Sequence, residues 1–227
     1  QPNARSIRCL LAGSLIACGS TENHYPEGMV TIEGSTYRIG VDDPAEPWHE
    51  TTRTIELDTY CIDIYEYPNT EGQLPRSNVT WEEARDLCEQ AGKRLCRSHE
   101  WERACRGEAR TRYAYGDTRD PAACNTPIEG GALGGNPPLE PAGSRPECVS
   151  ADGVRDLNGS VSEWVIGEWD GPAPDGSTAN PDTWQLLRGG TMWSQTGYGQ
   201  DCTSRHAHEG DTYRNIDDGF RCCADPI

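Results

Sequence analysis

Apolar and polar residues alternate with a period of two in two stretches of the N-terminal half. In GMVTIEGSTYRIG, residues 28–40, two alternating runs flank Glu33-Gly34-Ser35, which predicts a β-hairpin turning at those residues. In TIELDTYCIDIYEYPN, residues 54–69, Ile55, Leu57, Ile62 and Ile64 predict one long strand that ends at Pro68. The period then changes to that of a helix. Thr80 with Glu83 three residues on forms a capping box, Trp81, Ala84, Cys88 and Ala91 share one face, and Gly92 supplies the stop. A shorter helix is predicted after Ser98, through HEWERAC to Gly107, with Cys105 near its end. From Thr111 to Asp182 the chain is punctuated by Gly, Pro, Asn and Asp, which predicts loops with short strands rather than a second domain. No repeat with a period of 20 to 50 residues is present, which excludes a solenoid or propeller.

Composition adds how such a chain could hold together. Of 227 residues only 34% are apolar and one is Phe, while seven Trp and nine Tyr supply bulky amphipathic packing. The net charge of −17 argues against nucleic acid as a partner, because phosphate binding needs clustered Lys and Arg. Eleven cysteines are scattered rather than set in the CxxC pairs that hold zinc, a pattern of disulfides made in an oxidising compartment. Arg5 and Arg8 precede CLLAGSLIAC, a run too short to span a bilayer but suited to a signal peptide. Its end, Leu15-Ile16-Ala17-Cys18, has the form of a bacterial lipobox. The expected organisation is a lipoprotein signal over residues 1–17, lipidation at Cys18, a tether over 18–27 and one domain over 28–227. Losing the signal removes two arginines and takes the net charge from −17 to −19.

Several ordered blocks then resemble one family. GMVTIEGSTYRIG, YCIDIYEYPN, VTWEEARDLCEQAGKRLCRSHEWERACRG, YGD, DLNGSVSEW, LRGGTMWS and GFRCC follow one another as in the formylglycine-generating enzyme (sulfatase-modifying factor) domain, over roughly residues 28–224. The resemblance implies a single loop-rich α+β domain, a variant of the C-type-lectin fold. Its active enzymes oxidise a sulfatase cysteine to formylglycine with molecular oxygen and a copper ion held by two cysteine thiolates. At the matching positions this chain has Ser194, three residues past the Arg188-Gly189-Gly190-Thr191 turn, and Gly199. Neither is a soft ligand for copper(I).

The same resemblance implies two disulfides, Cys88 with Cys222 and Cys105 with Cys202. Cys124 and Cys148 flank the Gly/Pro-rich loop and are placed to staple it, while Cys61, Cys96 and Cys223 leave one odd thiol. Adjacent Cys222 and Cys223 on a strand point to opposite faces and need different partners. By resemblance a calcium site draws on the side chain of Asp156, the carbonyls of Gly159 and Val161, and the carboxylate of Glu163, with Asn125 and Thr126 at an altered second site. His206 and His208, if on a strand, turn both rings to one side, as a metal chelate or as two surface histidines. The Asn78-Val79-Thr80 and Asn158-Gly159-Ser160 sequons read as chance in a bacterial lipoprotein.

Two functions follow as expectations. One is a non-catalytic protein, anchored in the bacterial envelope or secreted, that binds a protein or small-molecule ligand through loops at 166–182 and 191–215 and meets a membrane only through its lipid. The other is a metal-dependent oxidase of the sulfatase-modifying type, with displaced ligands or with His206 and His208 as ligands.

Overall fold

A computed structural model describes residues 27–42, 49–126, 138–169, 183–192 and 200–226. The chain begins with β1 (Met29–Ile32) and β2 (Ser35–Ile39), followed by β3 (Arg53–Leu57) and β4 (Tyr60–Asp63). The hairpin expected at Glu33-Gly34-Ser35 does not form. Strand β1 pairs with β4, from Met29 with Asp63 to Ile32 with Tyr60, and β2 pairs with β3, from Ser35 with Leu57 to Ile39 with Arg53. The two ladders are antiparallel and share one register, so residues 29–39 and 53–63 form a single bent ribbon. At the bend Gly34 N–H donates to Thr59 Oγ1 at 2.9 Å, and a Cβ on Gly34 would lie 2.7 Å from Leu57 O. A glycine followed by alternation looks like a turn in sequence; here it lets two backbones come close, and the chain runs straight on. The long strand expected over 54–67 is instead two strands, interrupted at Asp58-Thr59 opposite that glycine and ending at Asp63.

Helix α1 (Trp81–Gln90) starts on the expected box: Glu83 N–H donates to Thr80 Oγ1 at 3.2 Å and Thr80 N–H donates to Glu83 Oε2 at 3.0 Å. It buries Ala84 and Cys88, and Gly92 just beyond it adopts φ +71°. After β5 (Arg94–Leu95), α2 (Ser98–Arg106) ends at Gly107, also at positive φ. Its first turn is closed by Glu100, whose Oε2 accepts from Arg97 N–H at 2.8 Å. Trp101, Ala104 and Cys105 are fully buried and anchor α2 in the larger core.

The C-terminal half supplies β6 (Ser162–Val165), β7 (Trp184–Arg188), β8 (Arg205–Glu209), β9 (Asp218–Phe220) and β10 (Cys222–Ala224). One sheet runs β8-β7-β6-β9, with β6 and β9 parallel; another runs β1-β4-β10-β5, so the last strand lies between β4 of the first ribbon and β5. The molecule is an α+β fold, mostly sheet, with two helices and four disulfides among the described residues. They join Cys88 to Cys222, Cys96 to Cys223, Cys105 to Cys202 and Cys124 to Cys148. The odd thiol is Cys61, buried in β4.

Candidate functional site

The two glycine-bearing motifs lie against each other. Gly159 N–H donates to Gly189 O at 2.9 Å and Met192 N–H to Ser160 O at 3.1 Å, so the DLNGSVSEW loop cradles the Arg188-Gly189-Gly190-Thr191 turn. Gly189 (φ +93°) and Gly190 (φ +68°) hold the left-handed backbone this turn needs, and a Cβ at Gly189 would lie 3.0 Å from Leu157 O and 3.1 Å from the Trp101 ring. Asn158 clamps both sides of the site: its Oδ1 accepts from Ala114 N–H at 2.8 Å and its Nδ2 donates to Gln200 O at 2.9 Å. The residue that reads as a sequon is thus a buried structural clamp, 1% exposed.

Arg188 fixes the other side. Its fully buried guanidinium donates to Ser98 Oγ from Nε at 2.9 Å and from Nη2 at 2.8 Å, and lies 3.3 Å from Glu102 and 3.6 Å from Glu50. Cys202, which closes the segment, is held to α2 by its bridge to Cys105. Beside it, Asp201 Oδ1 accepts from the backbones and hydroxyls of Thr203 and Ser204, and His49 Nε2 stands 3.4 Å from Asp201 Oδ2 and 3.2 Å from Ser204 Oγ. Burial opposes charge on Asp201, yet these hydrogen bonds and His49 outweigh it and hold the carboxyl below its usual range. One imidazole nitrogen faces both oxygens, so this is an anchor for the segment and not a Ser-His-Asp relay. Ser194 and Gly199 lie outside the described residues, as does Cys18.

A cleft of about 670 Å³ opens between the N-terminus of α2, the start of β7 and the chain leaving β6. Arg53, Arg97 and Arg205 line it together with Glu50, Trp81, His99, Glu168 and Gln185. Arg53 pairs with Glu50 at 2.7 Å, Arg97 with Glu100 at 2.8 Å, and the Arg205 guanidinium sits 5.2 Å over the Trp169 ring. The lining thus brings together three arginines and two glutamates, with Arg53 and Arg97 already ion-paired. Burial lowers the pKa of His99 and so favours its neutral imidazole. Sequence reading misses this cleft, because its lining comes from segments far apart in the chain; only positions 166–168 and 205 fall within the loops expected to bind.

The two carboxylates expected to hold calcium have partners within the protein. Glu163 Oε2 accepts from Arg221 Nε at 2.7 Å and from Trp101 Nε1 at 2.8 Å, while Oε1 accepts from Arg221 Nη2 at 2.7 Å. The carboxylate is thus engaged at both oxygens by a guanidinium that is itself 1% exposed. Asp156, at φ +59°, turns instead to Gly143 N–H at 2.7 Å. With Asn125, Glu140, Asn158 and Ser160 it lines a cavity of about 10 Å³, into which Thr126 does not reach. Burial raises the pKa of Asp156. Among the described residues, no group of three or more His, Cys, Asp or Glu is placed to hold a metal. His206 and His208 do share one side of β8, but their rings meet edge to face at 5.6 Å, and His208 stacks on Tyr213 at 3.6 Å.

Comparison with known proteins places this geometry. Residues 67–226, well over half of the chain, match the sulfatase-modifying factor enzyme 1-like domain. Hercynine oxygenase of Mycolicibacterium smegmatis is 31% identical over 139 residues, covering 53% of this chain and 31% of that protein, so the chain spans about a third of the relative's length. Solved structures that share the fold include two bacterial proteins. Treponema denticola variable protein 1 has a TM-score of 0.67 at 16% identity, covering 87% of this chain and 95% of its own. PvdO from Pseudomonas aeruginosa has a TM-score of 0.64 at 18% identity, covering 86% and 93%. The Gly-Gly turn, the loop that cradles it and the bridges from both helices all fall within the matched span, and the chain belongs to the sulfatase-modifying factor enzyme 1-like family.

Proposed function

We infer that this chain uses the family scaffold as a binding module, taking a polar ligand or partner in the cleft lined by Arg53, Arg97 and Arg205, and that it does not perform copper-dependent cysteine oxidation. The fate of the thiols carries this reading. From residue 28 onward the sequence has nine cysteines. Eight are joined in disulfides and the ninth, Cys61, is 0% exposed in β4. A copper(I) site of the family type needs two soft thiolates, and this domain has no second thiol to offer. Ser194 and Gly199 stand where that pair is expected.

Placement outside the cytoplasm belongs to the same proposal. Four disulfides suit an oxidising compartment, and no helix among the described residues is long and apolar enough to cross a membrane. Lipidation at Cys18 would supply the attachment. The deciding experiment incubates the purified protein with copper, oxygen and a cysteine-containing sulfatase peptide and follows the peptide by mass spectrometry. The expected result is unchanged peptide; copper-dependent aldehyde at its cysteine overturns the proposal.

A further inference from the structure

The face of the β6–β9 pair opposite Glu163 carries a second group of acids. Parallel pairing sets Ser162 in register with Asp218, and Glu163 with Gly219. Alternation along the strands then turns the Ser162 and Asp218 side chains to one side and Glu163 to the other. Asp217 directly precedes Asp218, and its carbonyl accepts from Ser162 N–H at 2.8 Å. All three side chains are buried, at 0% exposure for Ser162, 7% for Asp217 and 2% for Asp218. Ser162 Oγ, Asp217 Oδ1 and Asp218 Oδ2 have no hydrogen-bond partner, although two of them leave paired strands at the same register.

Charge makes the arrangement sharper. Among the described residues neither carboxylate has an ion-pair partner, and the groups acting on Asp218 are Asp217 and a hydrogen bond with the Tyr213 hydroxyl. Several other buried acids have a cation beside them, Lys93 for Asp63, Arg94 for Glu100, Arg106 for Glu102 and Arg221 for Glu163, whereas Glu66, like this pair, has no ion pair among the described residues. Two buried carboxylates without one are costly in their charged form unless a counter-ion comes from outside. The fully buried Ser162 hydroxyl, unpartnered on the same face, is an independent sign of a missing third party.

We propose that Asp217, Asp218 and Ser162 form a site for one calcium ion on the β9 side of β6. The donors are hard oxygens, two carboxylates and a hydroxyl. Magnesium fits less well, because it gives up its waters reluctantly and these oxygens are shielded from solvent. The site is distinct from the Asp156 cavity, since Glu163 and Arg221 lie on the other face of the strand.

The test is calorimetric titration and thermal melting of the full chain after chelator treatment, with calcium chloride and magnesium chloride alone as probes. Calcium is expected to bind at one ion per chain and raise the melting temperature, with magnesium giving a weaker effect. That response should persist in Asp156→Asn and vanish in Asp218→Asn. Ser162→Ala keeps both carboxylates and serves if Asp218→Asn does not fold; its calcium affinity should fall by about tenfold or more. No calcium response in the native chain, a response that survives Asp218→Asn, full affinity in Ser162→Ala, or a response lost in Asp156→Asn each overturns the proposal.

Discussion

Arg221 shows how one residue can organise several segments. Its guanidinium holds Glu163 bidentately and donates to the carbonyls of Asp63 at 3.2 Å, Ile64 at 3.1 Å and Arg155 at 2.9 Å. Arg221→Leu would leave the Glu163 carboxylate buried without its cation, and is expected to lower the unfolding free energy by about 3 to 5 kcal/mol, measured by urea denaturation. Sequence alone gives GFRCC as a block without saying that its arginine faces DLNGSVSEW. Family resemblance therefore assigns Glu163 to calcium, and only the fold reveals the competing cation. Asp218 offers a second prediction at this scale. Burial first, and the charge of Asp217 next, raise its pKa from 3.8 to about 8, while Tyr213 pulls slightly the other way. A folded-state pKa above the unfolded one favours the protonated form, so its contribution is greatest in acid and is lost as pH rises from about 4 to about 8. In chelator, melting temperature across that window should fall with pH in the native chain and fall less in Asp218→Asn.

Elements differ in how much of them the sequence declares. Helix α1 is legible end to end because Thr80, Glu83 and Gly92 are local signals that need no tertiary contact. Removing the cap with Thr80→Ala should cost about 1 kcal/mol, seen as a lower denaturation midpoint with unchanged slope. The first two strands mislead for the converse reason: Gly34 answers to Leu57 and Thr59, which lie more than twenty residues away. Gly189 answers likewise to Leu157 and Trp101, and its φ of +93° resists any side chain. Gly189→Ala should therefore destabilise the domain by more than the roughly 1 kcal/mol of an ordinary glycine replacement, because the added methyl meets a carbonyl and a packed indole rather than open space; chemical denaturation gives the figure. Bridges can be ranked by the span they close. Cys96–Cys223 encloses 127 residues and Cys124–Cys148 only 24, so the chain-entropy account gives about 5 and about 3.5 kcal/mol. Paired serine variants should follow that order in thermal melting; the reverse order would point to strain or denatured-state structure instead.

At the scale of the whole molecule, order of motifs carries more information than any motif. Seven short blocks in the right sequence are enough to expect one stapled α+β domain, although no single block would suffice. The cleft is not legible in the same way, because Arg53, Arg97 and Arg205 come from β3, the approach to α2 and β8, and nothing in their spacing signals that they meet. Their convergence depends on Arg188, which ties β7 to the start of α2 through Ser98. The pairing of Cys223 is out of reach for a related reason: alternation tells that it must face away from Cys222, but not that Cys96 waits on that side.

The three longest bridges share a property that concerns the making of the protein more than its stability. Cys88, Cys96 and Cys105 all wait for partners at positions 202, 222 and 223 of a 227-residue chain. A ribosome or translocon therefore delivers both helices, with three reactive thiols, well before any correct partner emerges. Native oxidation must come after the C-terminal strands are delivered, and a chain cut short by even a few residues before Cys222 would present unpaired thiols to whatever folding catalysts and proteases it meets.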